Sequence, residues 1–281
     1  MNCIFKLFIF GDIGYFSKNL TNLSYISYIR KQINDKYIFL GDNFYNDGVK
    51  DLNDSMWNIF CETFSYMHPE NMHAILGNHD YHQNPTSQIN NIFWNTPSFY
   101  YKKVYSENTD LFFLDTVQLL PEHCNITINK IQSVHDDNIN NIIYKQITWL
   151  DYELDKSSIK NKIVFGHYPI LTNGYYKDRL SYLYSLLYPI FKKHNVTAYI
   201  SGHEHNIQHI KHFDNNYTFN QFIVGSSSEN RIHENPHFSS SMLSYYNNQN
   251  NHILEISEHN NSSLIFSFIN QYENIEYSII I

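Results

Sequence analysis

Residues 37–45 read YIFLGDNFY: four apolar residues, then Gly41, then the polar side chains of Asp42, Asn43 and Tyr45. The apolar run predicts a buried strand, and the glycine lets the backbone turn sharply where the strand ends. The same order recurs at four more places: Gly11-Asp12-Ile13-Gly14, Gly77-Asn78-His79-Asp80, Gly166-His167-Tyr168-Pro169 and Gly202-His203-Glu204-His205. Because the carboxyl ends of strands form the ligand crevice of an open α/β sheet, we expect all five clusters there.

The rest of the chain alternates short apolar runs with amphipathic segments, which is typical of an α/β fold. The predicted strands are 4–10, 37–40, 72–76, 111–115, 162–165, 198–201 and 221–224. Helical spacing occurs at 20–29 and 139–154, and a third helix is predicted around 183–193, where Pro189 kinks it or marks its first turn. After about residue 219 only strands follow, at 252–257, 264–269 and 275–281, which predicts an antiparallel meander forming a second sheet. The fold class is therefore α/β, with two mixed β-sheets packed face to face between helical layers.

Composition limits the partners and the location of the chain. The formal net charge is −8 with no basic stripe, which argues against a nucleic-acid groove or an anionic membrane as partner. Cys3, Cys61 and Cys124 match neither a disulfide framework nor a cysteine zinc site, which favours a reducing compartment. No apolar run reaches membrane-spanning length, and the first ten residues resemble a strand rather than a signal peptide, so an intracellular location is expected. No linker or repeat interrupts residues 1–281, which predicts a single domain.

The side chains of the five clusters are suited to binding metal ions. The candidate ligands among them are two carboxylates, a phenol, an amide and four imidazoles: Asp12, Asp42, Tyr45, Asn78, His79, His167, His203 and His205. Carboxylate and phenolate are hard oxygen ligands and imidazole suits zinc and iron, so the set can hold two divalent or trivalent ions. The alternative is that each residue merely caps a turn after a strand. Any single cluster fits that alternative, whereas five in this order favour a metal site.

The five motifs resemble those of the purple acid phosphatases, which belong to the metallo-dependent, calcineurin-like phosphoesterases, and most of all those of the small tartrate-resistant acid phosphatase branch. The resemblance covers nearly the whole chain, including Leu114-Asp115-Thr116-Val117, the Gln146 helix and the residues after His205. Tyr45 is the discriminating residue, because general metallophosphoesterases lack it. The resemblance implies one metallophosphoesterase domain with the αββα fold of the metallo-dependent phosphatases.

The resemblance also implies roles for the candidate ligands. These fall into two sets joined by one carboxylate: Asp12, Tyr45 and His205 for a first ion, Asn78, His167 and His203 for a second, and Asp42 bridging both. The first ion is expected to be Fe(III), coloured by the Tyr45 phenolate, and the second a divalent metal, namely Fe, Zn or Mn. Asn78 and His79 would also contact the substrate phosphate.

The chemistry implied by this resemblance is hydrolysis of phosphomonoesters at acidic to neutral pH, by an acid phosphatase-like hydrolase. Two ions a few ångströms apart clamp a phosphate, lower the pKa of a bound water and supply hydroxide for in-line attack on phosphorus. Fe(III) acidifies its water more than a divalent ion does, which permits turnover at acidic pH. His79 is expected to bind the phosphate or to protonate the leaving group.

Two residues depart from the family pattern. Ile13 stands where relatives usually carry Trp, which alters packing more than chemistry. Tyr176 stands nine residues after His167, where relatives place a second substrate-facing His. A phenol donates a hydrogen bond, but with a pKa near 10 it is a poor cation for phosphate. We therefore hypothesise that His79 alone serves the leaving group, with Tyr176 as a neutral substrate contact.

Other functions remain open for a chain with these residues. A phosphodiesterase or nucleotide hydrolase would use the same ligands, because they bind the ions and not the far end of a phosphate-ester substrate. An iron pair could instead perform redox chemistry with peroxide. The chain could also be a non-catalytic binding module that keeps the fold. The absence of the second substrate-facing His at Tyr176 favours this interpretation, whereas the complete ligand set argues against it. His209 and His212, at helical spacing from His205, are expected at the surface or outside the ligand shell, and nothing indicates the oligomeric state.

Overall fold

The structure is a computed structural model that describes residues 3–16, 36–120, 125–176, 180–231, 242–259 and 261–281. Its strands are β1 (Cys3–Phe10), β2 (Lys36–Leu40), β3 (Met72–Ile75), β4 (Tyr101–Val104), β5 (Thr109–Phe113), β6 (Asn161–Phe165), β7 (Ala198–Ser201), β8 (Ile207–Asp214), β9 (Tyr217–Val224), β10 (Leu243–Asn247), β11 (His252–His259), β12 (Leu264–Asn270) and β13 (Ile275–Ile280). Its α-helices are α1 (Ser55–Thr63), α2 (Thr116–Leu119), α3 (Asn125–His135), α4 (Ile139–Lys156) and α5 (Ser181–Lys193). The predicted helix at 20–29 lies outside the described residues.

The strands form two mixed sheets. The first sheet has the order β13-β12-β11-β1-β2-β3, in which β1, β2 and β3 run parallel and β1 pairs antiparallel with β11. The second sheet has the order β10-β8-β9-β7-β6-β5-β4, in which β5, β6, β7 and β9 run parallel. All five clusters follow parallel strands, three in the first sheet and two in the second.

The two sheets pack face to face through apolar side chains. Leu7 and Leu254 of the first sheet share a fully buried core with Phe165 and Phe222 of the second. Side chains alternate between the faces of a strand, so Phe8, the neighbour of Leu7, lies instead in an outer core. Burying a side chain of this size contributes about 1.5–3 kcal/mol relative to leaving it exposed, so this layer supplies much of the stability.

Helices cover the outer faces of the sandwich. On the first sheet, α1 inserts Phe60 against Phe39 of β2, with ring centroids 5.6 Å apart. On the second sheet, Leu150 of α4 and Leu187 of α5 belong to the same buried cluster as Val164 of β6. The predicted αββα layering is confirmed. Whether residues 1–281 form a single domain stays a prediction.

Several details differ from the sequence prediction. The meander of β11, β12 and β13 does not form a sheet of its own, because β11 pairs with β1 and the meander extends the first sheet. Residues 207–214 form strand β8, so His209 and His212 do not share a helix with His205. His209 is fully buried, with its ring stacked on Phe222 at 4.4 Å. Pro189 lies inside α5, beyond its first turn.

The helices α1 and α4 show how local sequence sets their ends. Helix α1 was not predicted, yet the side chain of Asp54 caps it by accepting a hydrogen bond from the Met56 amide. Helix α4 was predicted, and the Asn138 side chain caps it by accepting from the Asn141 amide. Among the described helices, none combines the length and apolarity required to cross a bilayer.

Candidate metal centre

The loops at the carboxyl ends of five strands converge on one site that spans both sheets. Asp12, Asp42 and Asn78 follow β1, β2 and β3 of the first sheet. His167 follows β6, and His203 and His205 follow β7, so the second sheet supplies the imidazoles. This is the arrangement expected when parallel strands end at a common edge.

Four of these residues have an unusual backbone conformation. The φ angles are 57° at Asp12, 52° at Asp42, 72° at His203 and 48° at His205. A residue with a Cβ rarely adopts positive φ, and the surrounding structure must compensate for the strain. The turns therefore point these side chains inward at a conformational cost of about 1–3 kcal/mol each, as is common at functional sites.

Glycines allow the loops to approach one another at the site. A Cβ on Gly77 would lie 2.2 Å from Asp42 Oδ1 and 2.8 Å from His167 Cε1. A Cβ on Gly202 would lie 2.5 Å from Asp12 Oδ2. The candidate ligands thus occupy the space that a larger residue would fill, which explains the glycine at these strand ends.

The phenol oxygen of Tyr45 lies at the centre of the first predicted ligand set. It is 3.1 Å from Asp12 Oδ1, 3.0 Å from Asp42 Oδ2 and 3.1 Å from His205 Nε2. The phenol carries one proton, so it can donate to only one of these atoms at a time. A cation among the four atoms would satisfy the remaining lone pairs.

The second predicted set gathers on the other side of Asp42. Ligand atoms of Asp42, His167 and His203 all lie within 4.8 Å of one another, and the three residues are buried. The Nδ1 of His167 donates to the Leu40 carbonyl at 2.8 Å, which leaves a lone pair on Nε2. That Nε2 lies 3.2 Å from Asn78 Oδ1 and 3.5 Å from Asp42 Oδ1. Lone pairs of amide and imidazole therefore face each other, as around a bound ion.

The electrostatics of the site also fit positive charge. Burial and the neighbouring Asp42 raise the pKa of Asp12 well above its ordinary value. Burial, together with both carboxylates, raises the pKa of Tyr45 well above 10. Burial lowers the pKa of His205 to about 3, and it lowers that of His167 too. Burial thus favours the neutral, metal-binding form of His167 and His205, while the carboxyl of Asp12 and the phenol of Tyr45 need a cation to lose their protons.

His79 lies beside this cluster and is partly open to solvent. Its amide donates to Asp42 Oδ1 at 2.9 Å, and its Nδ1 donates to the Asn46 carbonyl at 2.6 Å. Its Nε2 is 3.9 Å from Asp42 Oδ2, and 27% of the side chain is exposed. The free nitrogen can therefore reach both the centre and a ligand entering from solvent.

A family model for calcineurin-like phosphoesterases matches residues 5–206, which include all five clusters. The chain belongs to the calcineurin-like phosphoesterase family. Purple acid phosphatase 7 from Arabidopsis thaliana is 30% identical over 246 residues, covering 83% of this chain and 72% of that protein. Tartrate-resistant acid phosphatase type 5 from Sus scrofa is 30% identical over 209 residues, covering 69% of this chain and 60% of that protein. The predicted resemblance is confirmed, and with it the placement of the chain among phosphatase-type hydrolases.

The fold of this calcineurin-like phosphoesterase is also found in a solved structure titled "GAP50 the anchor in the inner membrane complex of Plasmodium". The TM-score is 0.77, over 99% of this chain and 88% of that chain. At 23% identity this likeness shows the fold alone.

Sequence reasoning missed a sixth loop that contacts the centre of this calcineurin-like phosphoesterase. Strand β9 is also followed by a glycine, Gly225, and the serines after it form hydrogen bonds to the Asp12 loop. Ser228 Oγ donates to the Asp12 carbonyl at 2.6 Å, and Ser227 Oγ accepts from the Gly11 amide at 3.1 Å. The sequence signal for this loop was an apolar run followed by a glycine, but no carboxylate or imidazole comes directly after that glycine.

Proposed function

We propose that this chain is a dinuclear-metal phosphatase of the purple acid type, which hydrolyses phosphomonoesters. The observation that carries the proposal is the position of Tyr45 Oη, within 3.1 Å of donor atoms from Asp12, Asp42 and His205. Asp42 has one oxygen near Tyr45 and the other near His167, which supports a bridging role.

The residues would divide between two ions as the family pattern implies. Asp12, Tyr45 and His205 would hold Fe(III), and Asn78, His167 and His203 a divalent ion, with Asp42 shared between them. Bound together, the ions would supply Lewis acidity toward the phosphate and toward water. Two ions would also compensate for the fully buried Asp12 and the nearly fully buried Asp42, in a protein whose formal charge is already −8.

The protein's own acid–base group would be His79. Because Nδ1 is engaged by the Asn46 carbonyl, the ring orientation is fixed and Nε2 faces the centre. In the protonated imidazole, Nε2–H can hydrogen-bond a phosphate oxygen or pass its proton to the leaving alkoxide. The intracellular location stays a prediction.

The test is metal content, visible absorbance and turnover of a chromogenic phosphomonoester, measured on wild type and on Tyr45→Phe and His203→Ala. We expect two metals per chain and a violet band that is absent from Tyr45→Phe. His203→Ala should lose more than about 100-fold in turnover. Even mutating a residue that only hydrogen-bonds a metal ligand lowers metal affinity or activity by about 10–100-fold. Tyr15→Phe and His212→Ala are matched controls, because Tyr15 packs against Tyr45 at 4.5 Å and His212 lies on β8.

Each alternative has its own outcome. Turnover without a violet band would remove the Fe(III)–Tyr45 assignment and leave a metallophosphoesterase. Turnover of a phosphodiester in preference to the monoester would identify a diesterase or nucleotide hydrolase. Violet protein without phosphatase activity would favour redox chemistry or a binding module. Folded protein that binds no metal would refute the proposal.

A further inference from the structure

Tyr176 lies at the metal centre but does not replace the chemistry of the missing imidazole. Its ring stacks on His203, with centroids 4.1 Å apart and an interplanar angle of 27°. Its amide donates to the buried Glu204 carboxylate at 3.0 Å, beside the bonds from Tyr175 N and Thr172 Oγ1. Glu204 thus fixes this loop, and the phenol is held against a candidate ligand of the second ion.

Arg231 reaches the same place from the loop after β9. Its amide donates to the His205 carbonyl at 3.0 Å, which fixes its backbone to a candidate ligand of the first ion. Its positive charge lies near the phenol of Tyr176 and opposes the rise that burial causes in the pKa of that phenol. Arg231 and Tyr176 therefore lie beside candidate ligands of both ions, Arg231 next to His205 and Tyr176 next to His203.

The charge of Arg231 is directed at the candidate ligands. Burial alone would lower the pKa of Arg231, but Tyr176, Tyr45, Asp12 and Glu229 together raise it. The chain has three arginines, Arg30, Arg179 and Arg231, and only Arg231 lies in the described part of the chain. The Arg231 residue is exposed, so its unused N–H donors are open to a ligand from solvent.

We propose that Arg231, anchored at His205 and lying beside Tyr176, is a phosphate-binding residue that replaces the second substrate-facing imidazole. This inference rests on the proposed phosphatase function and names the residue that recognises its anionic substrate. A guanidinium presents five N–H donors in a planar fork that matches two phosphate oxygens.

An arginine differs from the histidine it replaces in its response to pH. A histidine loses its charge near pH 6.5, whereas a guanidinium stays charged throughout the working range. Affinity for phosphate should therefore not fall through loss of this charge as the pH rises from 5 to 8. Tyr176 would assist Arg231 as a neutral phenol beside its charge.

The test is calorimetric titration of inorganic phosphate into metal-loaded protein, with metal content measured on every sample. A charge-assisted hydrogen bond is worth enough to change affinity by about 10- to 100-fold, so Arg231→Ala should raise Kd by that amount. Arg231→Lys should recover part of the affinity, because it restores charge without the fork. Tyr176→Phe keeps the ring but loses the phenol oxygen beside Arg231, and should raise Kd by about 2- to 10-fold. Lys160→Ala, which removes an exposed positive charge just before β6 begins, is the matched control and should bind phosphate like wild type.

The outcomes separate this inference from the proposed function. If Arg231→Ala retains both metals and binds phosphate like wild type, the inference is wrong while the phosphatase proposal stands. If Arg231→Ala loses metal instead, Arg231 balances the charge of Asp12 and Glu229, and the inference is again wrong. If wild type shows no turnover but binds phosphate in an Arg231-dependent way, the phosphatase proposal fails and the anion site remains. Thermal unfolding within a few degrees of wild type excludes misfolding of the variants.

Discussion

A single carboxylate organises the candidate centre at the scale of residues. Asp42 accepts the His79 amide through Oδ1 and contacts the Tyr45 hydroxyl through Oδ2. Burial would raise the pKa of Asp42. Its charge interactions with His167 and His79, together with the hydrogen bond from the His79 amide, outweigh that effect and lower the pKa. Asp42 therefore carries a negative charge between the two sets of donors, where a shared ligand is needed.

The sequence motifs indicated almost every side chain of this cluster, because strand, glycine and ligand are adjacent in the chain. Arg231 could not be predicted in the same way. Its position depends on a backbone hydrogen bond to His205, 26 residues earlier, and it lies near the phenol of Tyr176, 55 residues earlier. Contacts between loops of different strands leave no periodic signal in the sequence, so such a residue is found only from the fold.

Replacing Tyr176 by His should restore the imidazole that relatives carry. The new ring would stand next to His203 and become a cation as the pH falls below about 6.5. We expect Tyr176→His to raise kcat/KM at acidic pH, by up to about 10-fold, with unchanged metal content. The measurement is a pH profile of kcat/KM beside Tyr176→Phe, which gains no titrating group. An unaltered rate and profile would mean that the side chain at position 176 does not face the substrate.

A buried carboxylate away from the centre should make stability depend on pH. Burial raises the pKa of Asp115 to about 7 from its ordinary value of 3.8, although Tyr81 Oη donates to it at 2.6 Å. The folded state then binds a proton that the unfolded state has released, so the free energy of unfolding should fall as pH rises from about 4 to about 7. The contribution is at most about 4 kcal/mol over that window.

Asp115→Asn tests this expectation because the amide does not titrate. Urea unfolding of metal-free protein at pH 4, 5.5 and 7 gives the slope of stability for each variant. The decline between pH 4 and 7 should be smaller in Asp115→Asn than in wild type. Equal slopes in both proteins would show that Asp115 is already ionised in the folded state at pH 4.

At the scale of elements, most of the described strands were predicted from their apolar runs, whereas β4, β8 and β10 were not. The apolar runs of β1, β2, β3, β6 and β7 stand out because parallel strands are buried on both faces. Strand β8 was missed because the buried Gln208 and His209 interrupt its apolar pattern. Gln208 is satisfied by Asn206 and Thr172, which a pattern of hydrophobicity does not reveal.

The turn at the end of β3 should tolerate no side chain. In Gly77→Ala the new Cβ would fall on Asp42 Oδ1 and His167 Cε1, and the carboxylate would have to move. We expect about 1–3 kcal/mol of destabilisation from overpacking and a loss of metal affinity of at least about 10-fold. Metal titration of the purified variant, together with thermal unfolding, separates the two effects.

Gly166→Ala is the matched control for that variant. It occupies the same place at the end of β6, but its Cβ meets Tyr199 Oη and Thr116 Cγ2 rather than a candidate ligand. Gly166→Ala should therefore lose stability to a similar degree while keeping more of its metal affinity. Wild-type metal affinity in Gly77→Ala would show that Asp42 is not a ligand.

At the scale of the whole molecule, the candidate centre joins the two sheets. The first sheet contributes oxygen donors and the second contributes imidazoles, and neither set is complete alone. The sequence predicted the layers but assigned the meander to the wrong sheet. Alternation of apolar residues marks a strand and its buried face, but it does not specify the neighbour, which depends on backbone pairing such as Leu7 with Ile256.

Metal ions that bind across the two sheets should stabilise the whole fold. Binding to the native state adds about 2.7 kcal/mol when free metal is 100 times its Kd. For a chain of 281 residues, this corresponds to an increase in Tm of roughly 5 °C per site. We expect chelation to lower Tm accordingly, and re-addition of metal to restore it. His203→Ala should lose much of the increase, whereas the control His212→Ala should keep it. If metal binds wild type at two sites without changing Tm, the unfolded chain binds the ions as tightly as the native fold does, and a site built from loops of both sheets would be ruled out.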